Sequence, residues 1–264
     1  MTNLKKIMFV AIVLIIIGAL GSMFTFRDRG IDIAEEKVFK ENNITGVEIE
    51  SNNAGIEIIS TTESETKVEV FGRGSKDTKT NLTAQVEEDI LTIKWDEKQF
   101  GFLHLDFNES LTIRITLPEK QYQMMTITND NGKVHLEDLN IIRVKAESNN
   151  GGIEMENILS ENVVVKTDNG RVSLEHVSGT IEGKSNNGRI SMKTTTLNQP
   201  IQLETNNGRI EIETENEPTN VTFDVQIHNG SINILDKYKG STVIGNGENL
   251  VKLKTNNGKI QVLN

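Results

Sequence analysis

Five cations stand at a repeated place in this sequence, two residues after an Asn: Lys133, Arg171, Arg189, Arg209 and Lys259 each follow an Asn-Gly pair. Cations held at a constant interval can track an anionic polymer or lipid headgroups, and Arg presents a planar fork that fits phosphate or carboxylate. Pairing with nearby carboxylates such as Glu175 and Glu211 explains the same row without any ligand, since surface ion pairs are common and weak. A second group is aromatic. Trp95, Phe100, Phe102 and Phe107 are four of the chain's twelve aromatic residues, gathered within 13 positions. They can cover an open end of a sheet, or they can form a loop that meets a partner protein or the bilayer surface.

Reactive chemistry is otherwise hard to find. The four histidines, His104, His135, His176 and His228, lie in separate segments without metal-ligand spacing. Ser178-Gly179-Thr180-Ile181-Glu182-Gly183-Lys184-Ser185 approaches a phosphate loop but lacks its first glycine and its strand-to-helix setting. Asn129-Asp130-Asn131-Gly132 hints at a calcium loop, yet Ile127 stands where an oxygen ligand is needed. Glu211 with Glu213, and Glu154 with Glu156, read as solvated faces of strands rather than as an acid–base pair across a cleft. No cysteine is present, which excludes a catalytic thiol, a zinc–cysteine site and a disulfide framework. No catalytic residue, metal site or cofactor is therefore expected, and the chain is read as a non-enzyme.

The elements that position the cations follow from a repeat. Thr167-Asp168-Asn169-Gly170-Arg171-Val172, Ser185-Asn186-Asn187-Gly188-Arg189-Ile190 and Thr205-Asn206-Asn207-Gly208-Arg209-Ile210 share one pattern. Looser copies surround Gly132, Gly151, Gly230 and Gly258, and a distant one is Asn52-Asn53-Ala54-Gly55-Ile56. Apolar residues alternate on both sides of each glycine, as in Val163 and Val165 before Gly170, or Ile210 and Ile212 after Gly208. Alternation with period two means strands buried on one face. An Asn-Gly between two strands usually marks a hairpin. A polar tetrad returning every 18–20 residues instead predicts a winding chain whose corners stack, with the glycines 132, 151, 170, 188, 208, 230 and 258 in one column. Asn169, Gly170, Asn187, Gly188, Asn207, Gly208, Asn257 and Gly258 are thus structural corner residues. Gly and Asn are expected there for left-handed backbone angles, and Asn186 and Asn206 should form an amide ladder. Ile, Thr and Val number 31, 25 and 19 against six alanines, which favours strands over helices. The fold class is all-β: a single-stranded parallel β-solenoid (β-helix), with a lean to the right hand, preceded by an N-terminal transmembrane helix.

Residues 1–6 read as a short cytoplasmic leader and 7–26 as a transmembrane anchor, since a 20-residue uncharged run suits the ~30 Å hydrocarbon layer. A cleaved signal peptide is the rival reading. Residues 27–45 read as a juxtamembrane spacer, 46–123 as irregular first coils with an insertion closing at Leu117-Pro118, and 124–264 as regular repeats. Beyond residue 26 the chain carries 26 basic and 38 acidic side chains. Such an acidic domain is a poor binder of nucleic acid, which demands many phosphate-neutralising cations. Expected partners are the membrane and envelope proteins or an anionic wall polymer.

The membrane start, the strand ending in Leu117-Pro118 and the [Ser/Thr]-Asn-Asn-Gly-[Arg/Lys]-Ile units together resemble the bacterial adhesin-like, or toastrack-type, domain family. The resemblance spans about residues 46–264, and its membrane-anchored members are similar to LiaG, encoded beside an envelope-stress system of Gram-positive bacteria. It implies a β-solenoid exposed outside a cell membrane, in a Gram-positive envelope, and transfers no catalytic residues. The function expected is a non-enzymatic binding or scaffolding module of the envelope. An adhesin-like surface contact is the alternative, and a polysaccharide-acting enzyme on a β-helix the weaker one.

Overall fold

The computed structural model describes residues 31–40, 43–74, 82–95 and 110–264. Among them every regular element is a strand. The first seven are β1 (Ile31–Phe39), β2 (Gly46–Ser51), β3 (Gly55–Thr61), β4 (Thr66–Gly74), β5 (Leu82–Glu87), β6 (Ile90–Trp95) and β7 (Ser110–Pro118). The regular part holds β8 (Gln121–Asn129), β9 (Val134–Glu137), β10 (Asn140–Ser148), β11 (Ile153–Glu156), β12 (Asn162–Thr167), β13 (Val172–Glu175), β14 (Thr180–Asn187) and β15 (Ile190–Thr194). It ends with β16 (Ile201–Thr214), β17 (Val221–Ile234), β18 (Thr242–Ile244) and β19 (Asn249–Leu263).

Each coil supplies two strands, one before the Asn-Gly corner and one after it. Strands before the corner pair in parallel from coil to coil: Val144 opposes Val163, Val163 opposes Ile181, and Ile181 opposes Ile201. Those after it do likewise, with Ile153, Val172, Ile190 and Ile210 in one column. The corners are therefore not hairpins; β16 runs through Asn207-Gly208 as one bent strand. Alternate residues of both rows point inward, and columns such as Val163, Ile181, Ile201 and Val251 are fully buried. Stacking supplies what a single coil cannot, a neighbour above and below for each apolar face.

The stack departs from chain order at its end. The final strand, β19, lies between β16 and β17: Gly208 opposes Gly258, and Gly258 opposes Gly230. The expected column is present, but its sequence is 132, 151, 170, 188, 208, 258, 230. The outermost coil is β17, which β18 and the single bridge from Tyr238 to Ile234 pair with antiparallel over only part of its length. At the other end Ile56 opposes Val134, so the corner at Asn52-Asn53 sits beneath Asn131 although 78 residues separate Asn53 from Asn131.

Beyond that first coil β6 still pairs in parallel with β2 and β7 with β3, and antiparallel strands are added beside them. β4 pairs with both β1 and β7, and β5 pairs with β6. Residues 46–123 thus contain two stacked parallel layers, β2 with β3 and β6 with β7, edged by the antiparallel strands β4 and β5. The spacer reading of residues 27–45 is corrected here: Ile31–Phe39 forms a nine-residue edge strand, because Ile33 alternates inward and the backbone has β4 to pair with. Residues 1–6 and the expected span at 7–26 lie outside the described residues. Among the described residues no helix is long and apolar enough to cross a membrane.

Candidate functional site

Each corner is built by a short inward polar side chain. Ser148, Thr167, Ser185, Thr205 and Thr255 are buried, continuing the phase of the apolar residues before them. Their hydroxyls meet backbone of the corner: Thr167 Oγ1 donates to the Gly151 carbonyl at 3.0 Å, and Thr205 Oγ1 to the Gly188 carbonyl at 3.2 Å. Buried backbone acceptors are thereby satisfied where the ladder bends.

Of the corner glycines, Gly132, Gly230 and Gly258 have the expected positive φ, at +112°, +144° and +157°. Gly151, Gly170, Gly188 and Gly208 do not have left-handed φ values. Their requirement is proximity. A Cβ on Gly151 would lie 1.7 Å from the Gly132 carbonyl oxygen, and one on Gly208 would lie 1.8 Å from that of Gly188. Glycine is needed because one corner's backbone rests on the next.

Above this column run two rows of side-chain amides. The Asn just before each glycine donates Nδ2 to the Oδ1 of the neighbouring coil. The bonds run Asn131 to Asn53, Asn150 to Asn131, Asn169 to Asn150, Asn187 to Asn169, Asn207 to Asn187, Asn257 to Asn207 and Asn229 to Asn257, all between 2.9 and 3.0 Å. The expected pair, Asn206 to Asn186 at 3.0 Å, belongs to the second row, one residue earlier. That row breaks between Asn149 and Asp168, where a carboxylate has no N–H to donate; Asp168 accepts from Asn186 at 2.6 Å instead. The continuous row was legible in the unbroken recurrence of Asn before Gly, and only its extent needed coordinates.

The cations stand beside these rows. Registers put Arg171, Arg189, Arg209 and Lys259 on four consecutive coils, and Gly152 separates Lys133 from them. Lys133 pairs with Glu154 at 2.5 Å. Glu211 serves two arginines, Arg189 at 2.7 Å and Arg209 at 3.6 Å. Glu175 is taken by Lys193 at 3.3 Å, so it does not neutralise the row. Among the described residues Arg171 and Lys259 have no ion pair. Arg189 Nε is also buried without a partner. One carboxylate thus serves two of the four neighbouring cations, and the next outward position along β13 and β15 carries the small hydroxyls Ser173 and Ser191. An anionic group laid along these coils would meet the guanidinium donors, while the Ser191 hydroxyl already donates to the Val172 carbonyl at 3.3 Å.

Other sites separate. Trp95 is 2% exposed, with its backbone between Ser51 and Leu82, and is a core residue rather than an exposed contact. Phe100, Phe102 and Phe107 lie outside the described residues, as does His104. Asn129, first of the calcium-like run, is buried and donates Nδ2 to the carbonyls of Ala54 and Gly132, so it builds a corner. His135 faces Glu137 and Glu154, while His176 faces Glu215. Among the described residues no group of histidine and carboxylate side chains could hold a metal ion.

The family model described as Toastrack DUF4097 matches residues 44–142 and 124–263. Similar solved structures include a candidate cell adhesion protein from Clostridium sporogenes, 18% identical, covering 88% of this chain and 99% of its own with a TM-score of 0.35. A candidate adhesin from Bacteroides fragilis is 13% identical, with coverages of 88% and 97% and a TM-score of 0.44. Another from Parabacteroides merdae is 10% identical, with coverages of 88% and 96% and a TM-score of 0.31. Comparison with curated proteins gives no match.

Proposed function

Starting from a chain that belongs to the Toastrack DUF4097 family, we propose that it is a membrane-anchored, extracytoplasmic module of a bacterial cell envelope, binding or scaffolding without catalysis. Its ligand on this reading is an anionic wall polymer, met by the face that carries Arg171, Arg189, Arg209 and Lys259, in a Gram-positive envelope under stress. One observation carries the reading. Four cations occupy successive coils at a spacing of about 4.8 Å, where like charges placed opposite each other are unfavourable. Glu211 relieves Arg189 and Arg209 only, leaving an excess of positive charge on a chain that is acidic overall. A polyanion would remove that repulsion along the whole row, and lost counterions would make its binding salt-dependent.

The test is retention of the full chain on purified, immobilised anionic wall polymer. Replacing Arg171, Arg189 and Arg209 together by Gln should weaken retention about tenfold or more, since three charge-assisted contacts are lost. Wild-type retention should also fall as salt rises. Equal retention of both proteins, insensitive to salt, would remove the cationic face from the account.

A further inference from the structure

Eight Asn-Gly dipeptides occur in the chain, and seven of them sit at stacked corners. The eighth, Asn246-Gly247, lies in the turn between β18 and β19. Asn-Gly is chemically labile. The Gly nitrogen, losing its proton, attacks the Asn side-chain Cγ; that C–N bond forms as the bond from Cγ to Nδ2 breaks, and ammonia leaves. Water then opens the five-membered imide at either carbonyl, giving aspartate or isoaspartate. One water is consumed, one ammonia is released, and nothing is oxidised or reduced.

The corner rows oppose this reaction. Asn131, Asn150, Asn169, Asn187, Asn207 and Asn257 each donate from Nδ2 and accept at Oδ1, so Cγ cannot swing toward the Gly nitrogen without breaking two hydrogen bonds. Some of the nucleophiles are engaged as well: Gly151 N–H donates to Ser148 Oγ at 2.9 Å and Gly188 N–H to the Asn207 carbonyl at 3.1 Å. Reaction at these positions therefore waits on local opening of the stack. Asn229, on the outermost coil, has only its Nδ2 engaged.

Asn246 has none of this protection. Its side chain is exposed and has no hydrogen bond among the described residues, and the Gly247 N–H donates to no backbone carbonyl there. Gly245 and Gly247, with φ of +64° and +71°, flank it in a turn that rests on Thr219 and Thr222 and leaves the Asn246 side chain exposed. We propose that Asn246 is a spontaneous deamidation site of the folded protein, and that the amide rows shield the six interior Asn-Gly corners from the same fate. The product would place a carboxylate two residues from Glu248, which accepts a hydrogen bond from Asn220 at 2.8 Å, and so would mark and loosen the link holding the outer coil.

Peptide mass analysis of the full chain, held folded in mildly alkaline buffer and sampled over time, tests this. Asn246 should convert about tenfold or more faster than the six interior corners, which must first lose two hydrogen bonds. Asn229 should be intermediate, and Asn246→Gln should abolish the fast release of ammonia. In denaturant all eight sites should converge to similar rates. Interior corners converting as fast as Asn246 in the folded protein, or an intact Asn246 beside reacted corners, would overturn the proposal.

Discussion

Gly151→Ala should cost at least about 3–5 kcal/mol, a large share of the ~5–15 kcal/mol that holds a domain together, while Gly152→Ala, one residue on, should shift stability by no more than about 1 kcal/mol. The contrast rests on what a methyl group meets. At Gly151 it would lie 1.7 Å from the Gly132 carbonyl oxygen, which cannot withdraw without separating two coils, and 2.7 Å from Ser148 Oγ, whose movement would break its hydrogen bond from the Gly151 N–H. At Gly152 the nearest atom is the Arg171 carbonyl oxygen at 3.4 Å, an ordinary contact, and φ is not in the left-handed region. Denaturant titration of the two variants checks this: the Gly151 midpoint should collapse and the Gly152 midpoint should stay. Two equally stable variants would mean that corner backbones do not rest on each other.

Removing residues 249–264 should release far more than the last 16 residues. β19 buries Val251, Leu253, Ile260 and Val262 completely and is bonded along its length to β16 on one side and β17 on the other. Four such side chains correspond to roughly 6–12 kcal/mol of burial, comparable to the stability of a whole domain. Without β19, the strand Val221–Ile234 keeps only its short pairing with β18 and the bridge from Ile234 to Tyr238. Hydrogen exchange should therefore show residues 221–234 losing protection although they are still in the chain, with the coils before β16 retaining theirs. Continued protection of 221–234 would mean that β17 rests directly on β16. The same arrangement requires residues 215–248 to await the last strand during folding, because their coil has nothing to stack on until it arrives.

Strand identity, the winding of the chain and the column of corners were legible because period-two alternation and a fixed polar tetrad admit few other folds. The inverted order at the end was also written in the residues, less visibly. Thr205-Asn206-Asn207-Gly208-Arg209-Ile210 and Thr255-Asn256-Asn257-Gly258-Lys259-Ile260 are almost the same hexad, whereas Ile227-His228-Asn229-Gly230-Ser231-Ile232 departs from it. A terminal coil is the one expected to be atypical, since it lacks a neighbour on one face. Reading the corners strictly in chain order obscured this. The role of the glycines was hidden for another reason: left-handed angles and close backbone approach both select glycine, and composition does not distinguish them. Of the cation row, membership was legible and neutralisation was not, because Glu211 reaching two arginines and Glu175 turning to Lys193 depend on which coils are adjacent.

Paired cysteines test the stacking most directly, and the chain contains no cysteine to interfere. Adjacent coils lie about 4.8 Å apart, within the Cα separation a disulfide spans, whereas alternate coils lie about twice as far apart and beyond it. The variant Asn207→Cys/Asn257→Cys should oxidise readily to an intramolecular disulfide, and Asn207→Cys/Asn229→Cys should not. If the second pair closes and the first stays open, the coils follow chain order, and the placement of β19 between β16 and β17, with Lys259 beside Arg209 in the cationic face, is wrong.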